Sequence, residues 1–119
     1  MAVSVQKPVL TAVAIVKDTD ANATSENDVK AGAATLYFVE IDNGLNATAV
    51  YLKLYNAAAP TVGTTVPDMI LRCPGSSKFR IAIPEGVSFG TGLSFACVTG
   101  AGTAGTTGPT NDVSVILVC

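Results

Sequence analysis

The side chains able to do chemistry in this chain are few. It has three cysteines (Cys73, Cys97 and Cys119), nine carboxylates, seven cationic residues and no histidine. Without an imidazole there is no histidine base, and neither a Ser–His nor a Cys–His nucleophile pair can be assembled. The cysteines form no CxxC pair, so a zinc site is not expected. Two carboxylates can work together on a sugar when the fold holds them a few ångströms apart. Here Glu40 and Asp42 lie two apart on one predicted strand, at its turn end, while Glu26, Glu85 and Asp112 fall in loops beside turns. Spacing brings no two of them together. These absences predict a protein without enzymatic activity and without a cofactor.

Three weaker patterns carry possible chemistry. Asp18-Thr19-Asp20-Ala21-Asn22 opens like a calcium loop, but its sixth position is Ala23 where the sharp turn needs glycine. Its twelfth is Val29 where a bidentate glutamate belongs. A solvated polar loop is the expectation. The Gly-rich stretch 90–102 (GTGLSFACVTGAG) lacks the Gly-Lys-Ser/Thr ending of a phosphate loop, and no helix follows it. Asn22-Ala23-Thr24 and Asn46-Ala47-Thr48 match glycosylation acceptors, yet without an export signal they read as loop composition. Tyr51, Lys53 and Tyr55 share one face of a predicted strand, which makes them the candidate interface residues. Tyrosine offers apolar area and one hydrogen bond at low entropy cost. That face fits the outer cover of a sheet, a protein interface or a sugar platform.

The elements that must position these residues follow a period of two almost throughout. Strands are predicted at 9–17, 34–42, 48–56, 69–73, 78–83, 92–98 and 112–118. Residues 18–32 are polar and form a loop. Asn43-Gly44, Pro74-Gly75 and Pro84-Glu85-Gly86 read as turns. In 48–56, Val50, Leu52 and Leu54 point to the core. The stretch NAAAPTVGTTVP (56–67) breaks the alternation, because Pro60 and Pro67 lack donors and Gly63 permits positive φ. Residues 99–111 form a Gly/Thr loop without a pattern. The near-continuous apolar character of 9–17 predicts cover on both faces. Apolar first and last strands predict that the termini pair within a sheet or augment a neighbour's. With no amphipathic helix, the fold is an all-β antiparallel β-sandwich of seven or eight short strands, jelly-roll or immunoglobulin-like. Cys97, inside a strand, and Cys73 are expected to be buried and inert. For Cys119, the last residue, exposure and an intermolecular bridge are both left open by the sequence.

Composition sets the remaining bounds. A chain of 119 residues makes a single domain, 1–119, able to bury roughly two-thirds of its unfolded surface. Charged residues make up 13% and the net charge is −2, against about 25% charged in ordinary domains. So little charge predicts that part of the surface is covered by copies or partners. No basic stripe exists for nucleic acid, and no apolar run reaches the length of a membrane span. The first 18 residues lack a basic start, so synthesis and use without export is expected.

Three stretches, 50–67 (VYLKLYNAAAPTVGTTVP), 80–100 (RIAIPEGVSFGTGLSFACVTG) and 111–118 (NDVSVILV), resemble small β-sandwich structural proteins of tailed bacteriophages, cyanophages included. The likeness covers about residues 34–118. It implies a virion structural protein made in the host cytoplasm and carried on the capsid surface. Within that class it resembles a decoration or cement protein, whose partner is the major capsid protein and which forms a homo-oligomer, with a trimer favoured. The alternative is a receptor- or carbohydrate-binding module of a tail or fibre tip. A third is an extracellular adhesion or surface-layer module of bacteria. The cysteines lie outside the pattern of the likeness.

Overall fold

The structure is a computed structural model that describes residues 13–119. Seven strands form in chain order: β1 (Ile15–Asp18), β2 (Ala34–Asp42), β3 (Val50–Asn56), β4 (Met69–Cys73), β5 (Lys78–Phe89), β6 (Leu93–Val98) and β7 (Ser114–Val118). The larger sheet has the order β1-β7-β2-β5 and the smaller β4-β3-β6. All pairings are antiparallel. The inner faces meet in one core of Leu36, Val39, Ile41, Leu52, Leu54, Phe89, Leu93, Phe95, Val115 and Leu117, all essentially without exposure.

The polar segment after β1 completes the architecture. Glu26 and Phe95 exchange both backbone bonds, at 2.8 and 3.0 Å. Val29 N–H donates to Leu93 O, and Cys97 N–H to Asn22 O, both at 2.9 Å. This irregular stretch therefore lies along the free edge of β6 as a degenerate strand. Counting it, the chain pairs first strand with last, second with seventh, third with sixth and fourth with fifth. That is an antiparallel ribbon rolled into two sheets, the jelly-roll alternative of the two the sequence leaves open. With that segment on one edge and β3 on the other, no residue of β6 is exposed.

Strands β2 and β4 have the expected bounds. Two expectations need correction, and one question left open is answered. Pro84-Glu85-Gly86 does not reverse the chain: β5 runs through it to Phe89. Leu36 pairs with Val87 and Phe38 with Ala82, so four residues of β5 bulge opposite Tyr37 alone. Gly86 is required there, since its φ is +77° and a Cβ would lie 2.3 Å from Thr35 Cγ2. The first strand is covered on one face only. Val16 packs on the core, while Ile15 is 70% exposed; residues 9–12 of the predicted strand lie outside the described residues. Finally, Cys119 is buried, and its backbone pairs with Ala14.

At one end of the sandwich, three asparagines fasten the connections of both sheets. Asn43, fully buried, donates through Nδ2 to Thr48 O at 2.9 Å and Pro74 O at 3.0 Å. Its Oδ1 accepts from Asn46 Nδ2 at 3.0 Å. Asn46 also donates to Asn111 O at 3.0 Å and accepts from Asn111 N–H at 2.9 Å. Asn46 thus serves inside the fold, which accounts for its acceptor-like tripeptide. Removing one hub leaves several buried carbonyls unpaired, and each costs about 1–3 kcal/mol. Asn43→Ala is expected to lower stability by about 3 kcal/mol, read as a fall in the denaturant midpoint at unchanged slope.

Candidate functional site

Strand β3 supplies the side chains singled out by sequence. Its alternation does place Tyr51, Lys53 and Tyr55 on the face opposite Leu52 and Leu54. Register then adds neighbours: Tyr51 faces Arg72 and Val98, Lys53 faces Ile70 and Ala96, and Tyr55 faces Ser94. Directly opposed residues share a face, so these form the outer surface of the smaller sheet.

That surface is not open. Lys53, Tyr55, Ser94, Ala96 and Val98 are all buried, and Tyr51 is half-buried. The cover is made by two segments with no strand pattern, 57–67 and 99–108. Lys53 Nζ donates to the carbonyls of Gly102 at 2.6 Å, Gly105 at 3.0 Å and Thr103 at 3.4 Å. Ser94 Oγ donates to Ala57 O at 2.6 Å and accepts from Asp28 N–H at 2.9 Å. The two segments touch at Gly63, where φ is +95° and a Cβ would lie 2.5 Å from Thr106 Cγ2. The Tyr hydroxyl of residue 55 has no hydrogen-bond partner among the described residues. The expectation of a free Tyr/Lys contact face is therefore corrected: only Tyr51 reaches solvent. Burial lowers the pKa of Lys53, while three converging carbonyl dipoles oppose that shift by favouring the ammonium.

Several of the carboxylates serve turns or ion pairs. Asp18 Oδ1 accepts from Asp20 N–H at 3.0 Å, Asn22 Nδ2 donates to Asp20 O at 2.9 Å, and Asn22 Oδ1 accepts from Thr24 N–H at 2.8 Å. The calcium-like start thus folds into successive side-chain turns. No cluster of three or more metal-ligating side chains occurs among the described residues. A cleft of about 150 Å³ lies between the sheets, lined by Val16, Lys17, Asp18, Glu26, Val29 and Phe95. Burial is the main cause that raises the Asp18 carboxyl above its ordinary pKa, with Glu26 and Asp20 adding repulsion. Glu40 and Asp42, two apart as read from sequence, are each paired across the strand, with Arg80 at 3.5 Å and Lys78 at 3.7 Å.

The outer face of the larger sheet holds what sequence reasoning missed. Strand register sets Ile15 beside Val118, Val118 beside Phe38, and Phe38 beside Ala82. All four point away from the core. They form an apolar row across the whole sheet, roughly 15 Å wide at the usual strand spacing. Ile15 and Ala82 are exposed, Val118 and Phe38 partly so. The next row reads Lys17, Ile116, Glu40, Arg80. Each strand shows one such residue in its own alternation. Only the pairing order, which the sequence does not contain, brings them into line.

All three thiols are buried and free. Burial raises the pKa of each, and Cys97 is pushed up to about 12. A thiol that ionises less readily when folded leaves stability intact below its unfolded value, then removes it as pH rises toward the folded one. Between pH 9 and about 12, stability is expected to fall by about 1.4 kcal/mol per pH unit from Cys97 alone. Denaturant midpoints across that range check it. Lys53 pulls the other way, because a lowered lysine pKa makes stability rise over part of the window. In Cys97→Ala the alkaline slope should therefore shrink. Comparison with protein-family models, curated proteins and solved structures finds no match to this chain.

Proposed function

We propose that the protein is a non-enzymatic structural protein of a bacteriophage virion, a decoration or cement protein that binds the assembled head shell. The observation that carries this reading is the apolar row Ile15–Val118–Phe38–Ala82 on the outer face of the larger sheet. A soluble sheet facing water normally alternates polar residues outward; a row of four apolar side chains fits a face meant to be covered. The likeness of residues 50–67, 80–100 and 111–118 to phage sandwich proteins supplies the particle and the partner, the major capsid protein. The absence of histidine and the burial of every thiol agree with work done by contact.

The mechanism is linkage. A protein that binds the assembled shell, and not its free subunits, stabilises the shell in proportion to occupancy. A homo-oligomer, with a trimer favoured, engages several symmetry-related sites at once and gains avidity without any new contact. Phe38 is the natural centre of such a contact, as burying an aromatic ring contributes about 1.5–3 kcal/mol. The sugar-binding alternative loses its platform, since Lys53 and Tyr55 are buried.

Phe38→Glu tests the reading. The variant side chain stays on the outer face, so the fold and its denaturation midpoint are expected to hold within about 0.5 kcal/mol. Light scattering should show the native chain as an oligomer and the variant as a monomer. Co-sedimentation with empty heads should be lost with it. A native chain that is monomeric and ignores capsids would end the proposal.

A further inference from the structure

The segment 99–108 is a closed loop with an unusual hold on the sheet beneath it. Its neck is tied by Thr99 N–H donating to Thr107 O at 2.9 Å, with the Thr99 hydroxyl on the same oxygen at 3.3 Å. Its tip turns through Gly105 N–H to Gly102 O at 3.1 Å. Between them lie only glycine, alanine and threonine, and each residue is exposed or half-exposed. No large apolar side chain anchors the loop. One charged group does: Lys53 Nζ, on the fully buried side chain of a central strand, reaches the carbonyls of Gly102, Thr103 and Gly105. The other contact noted above is the touch of Thr106 on Gly63.

We infer that residues 99–108 form a strap latched by the Lys53 ammonium, which opens as a unit and presents that ammonium on the outer face of the smaller sheet. Three carbonyls converging on one nitrogen make a cage for a small cation, and the strand supplies the cation from below. Opening leaves the packing between the two sheets intact, because the strap's own residues bury little apolar surface and what it uncovers is part of the outer face beside Lys53, at Ala96 and Val98. Release also returns freedom to four glycines, Gly100, Gly102, Gly105 and Gly108, the residues that lose most on being fixed. Closed, the ammonium is desolvated; open, it regains water. The strap is thus the low-stability unit of an otherwise rigid sandwich. This inference stands independently of the proposed virion role.

Hydrogen exchange on the full chain tests it with Lys53→Met, which keeps the stem and removes the ammonium. Amides of 100–107 are expected to exchange about tenfold faster, with those of Leu52, Leu54 and Cys97 unchanged. In Lys53→Ala, added methylammonium is expected to restore protection of the strap, and an equal concentration of sodium chloride is not. In the native protein, acetylation of Lys53 should proceed at the rate of strap exchange, slower than surface lysines and faster than global unfolding. Unchanged strap exchange in Lys53→Met, acceleration spread evenly into the core strands, or no effect of methylammonium would each overturn the latch. So would acetylation of native Lys53 only on global unfolding, a measurement that holds even if the variants fold poorly.

Discussion

The relation between the two sheets rests on the asparagine clamp at one end of the sandwich. Asn43 leaves β2 of the larger sheet and bonds the carbonyls of Thr48, before β3, and Pro74, after β4. Asn46 then ties the same turn to Asn111, on the approach to β7. Strands of both sheets are therefore registered through one buried amide network. Hydrophobic burial holds the sheets together but is non-directional; two faces of Val, Leu and Ile tolerate sliding. Paired amides do not. Each bond has its own geometry, and a partly satisfied buried network is worse than none. The clamp supplies the specificity that a core of small aliphatic residues lacks.

Much of the fold was legible because strands and turns write a local code. The bounds of β2 and β4 follow from alternation closed by Asn43-Gly44 and Pro74-Gly75. Pro84-Glu85-Gly86 misleads because a proline–glycine pair marks any departure from regular pairing, and a wide bulge uses the same residues as a turn. The polar segment 18–32 carries no alternation, yet it fills a strand position, since backbone bonds to Phe95, Leu93 and Cys97 ask nothing of its side chains. Cys119 could not be placed from sequence because its burial comes from pairing with Ala14, a contact more than 100 residues away along the chain.

The Tyr51–Lys53–Tyr55 stripe shows where local reading stops. Its orientation was correct: these side chains do point away from the core. What the alternation could not contain is the third layer laid over them by 57–67 and 99–108. The threonines, alanines and glycines of those segments have no period. They suit a cover because small residues let backbone approach backbone, and the carbonyls thus brought close are what Lys53 bonds. Low charge in the sequence implies a covered surface. Part of that cover is internal.

The two outer faces therefore differ in kind. One is closed by the chain itself and fastened by a charged group; the other carries an apolar row with ion pairs beyond it, Glu40 with Arg80 and Asp42 with Lys78. These exposed pairs add little stability, but they settle the charges of that face among themselves. A partner approaching it meets apolar surface next to largely neutralised charge, with the Lys17 ammonium of the same row outside both ion pairs. The other end of the face is where Ile15, on a short edge strand, leaves its side chain 70% exposed. Among the described residues this edge strand is four residues long, and the opposite edge, β5, is interrupted by its bulge opposite Tyr37; short and bulged edges are poor templates for adding a further strand. Association through this sheet is accordingly expected to be face-on, by side chains, and not by extension of its ladder.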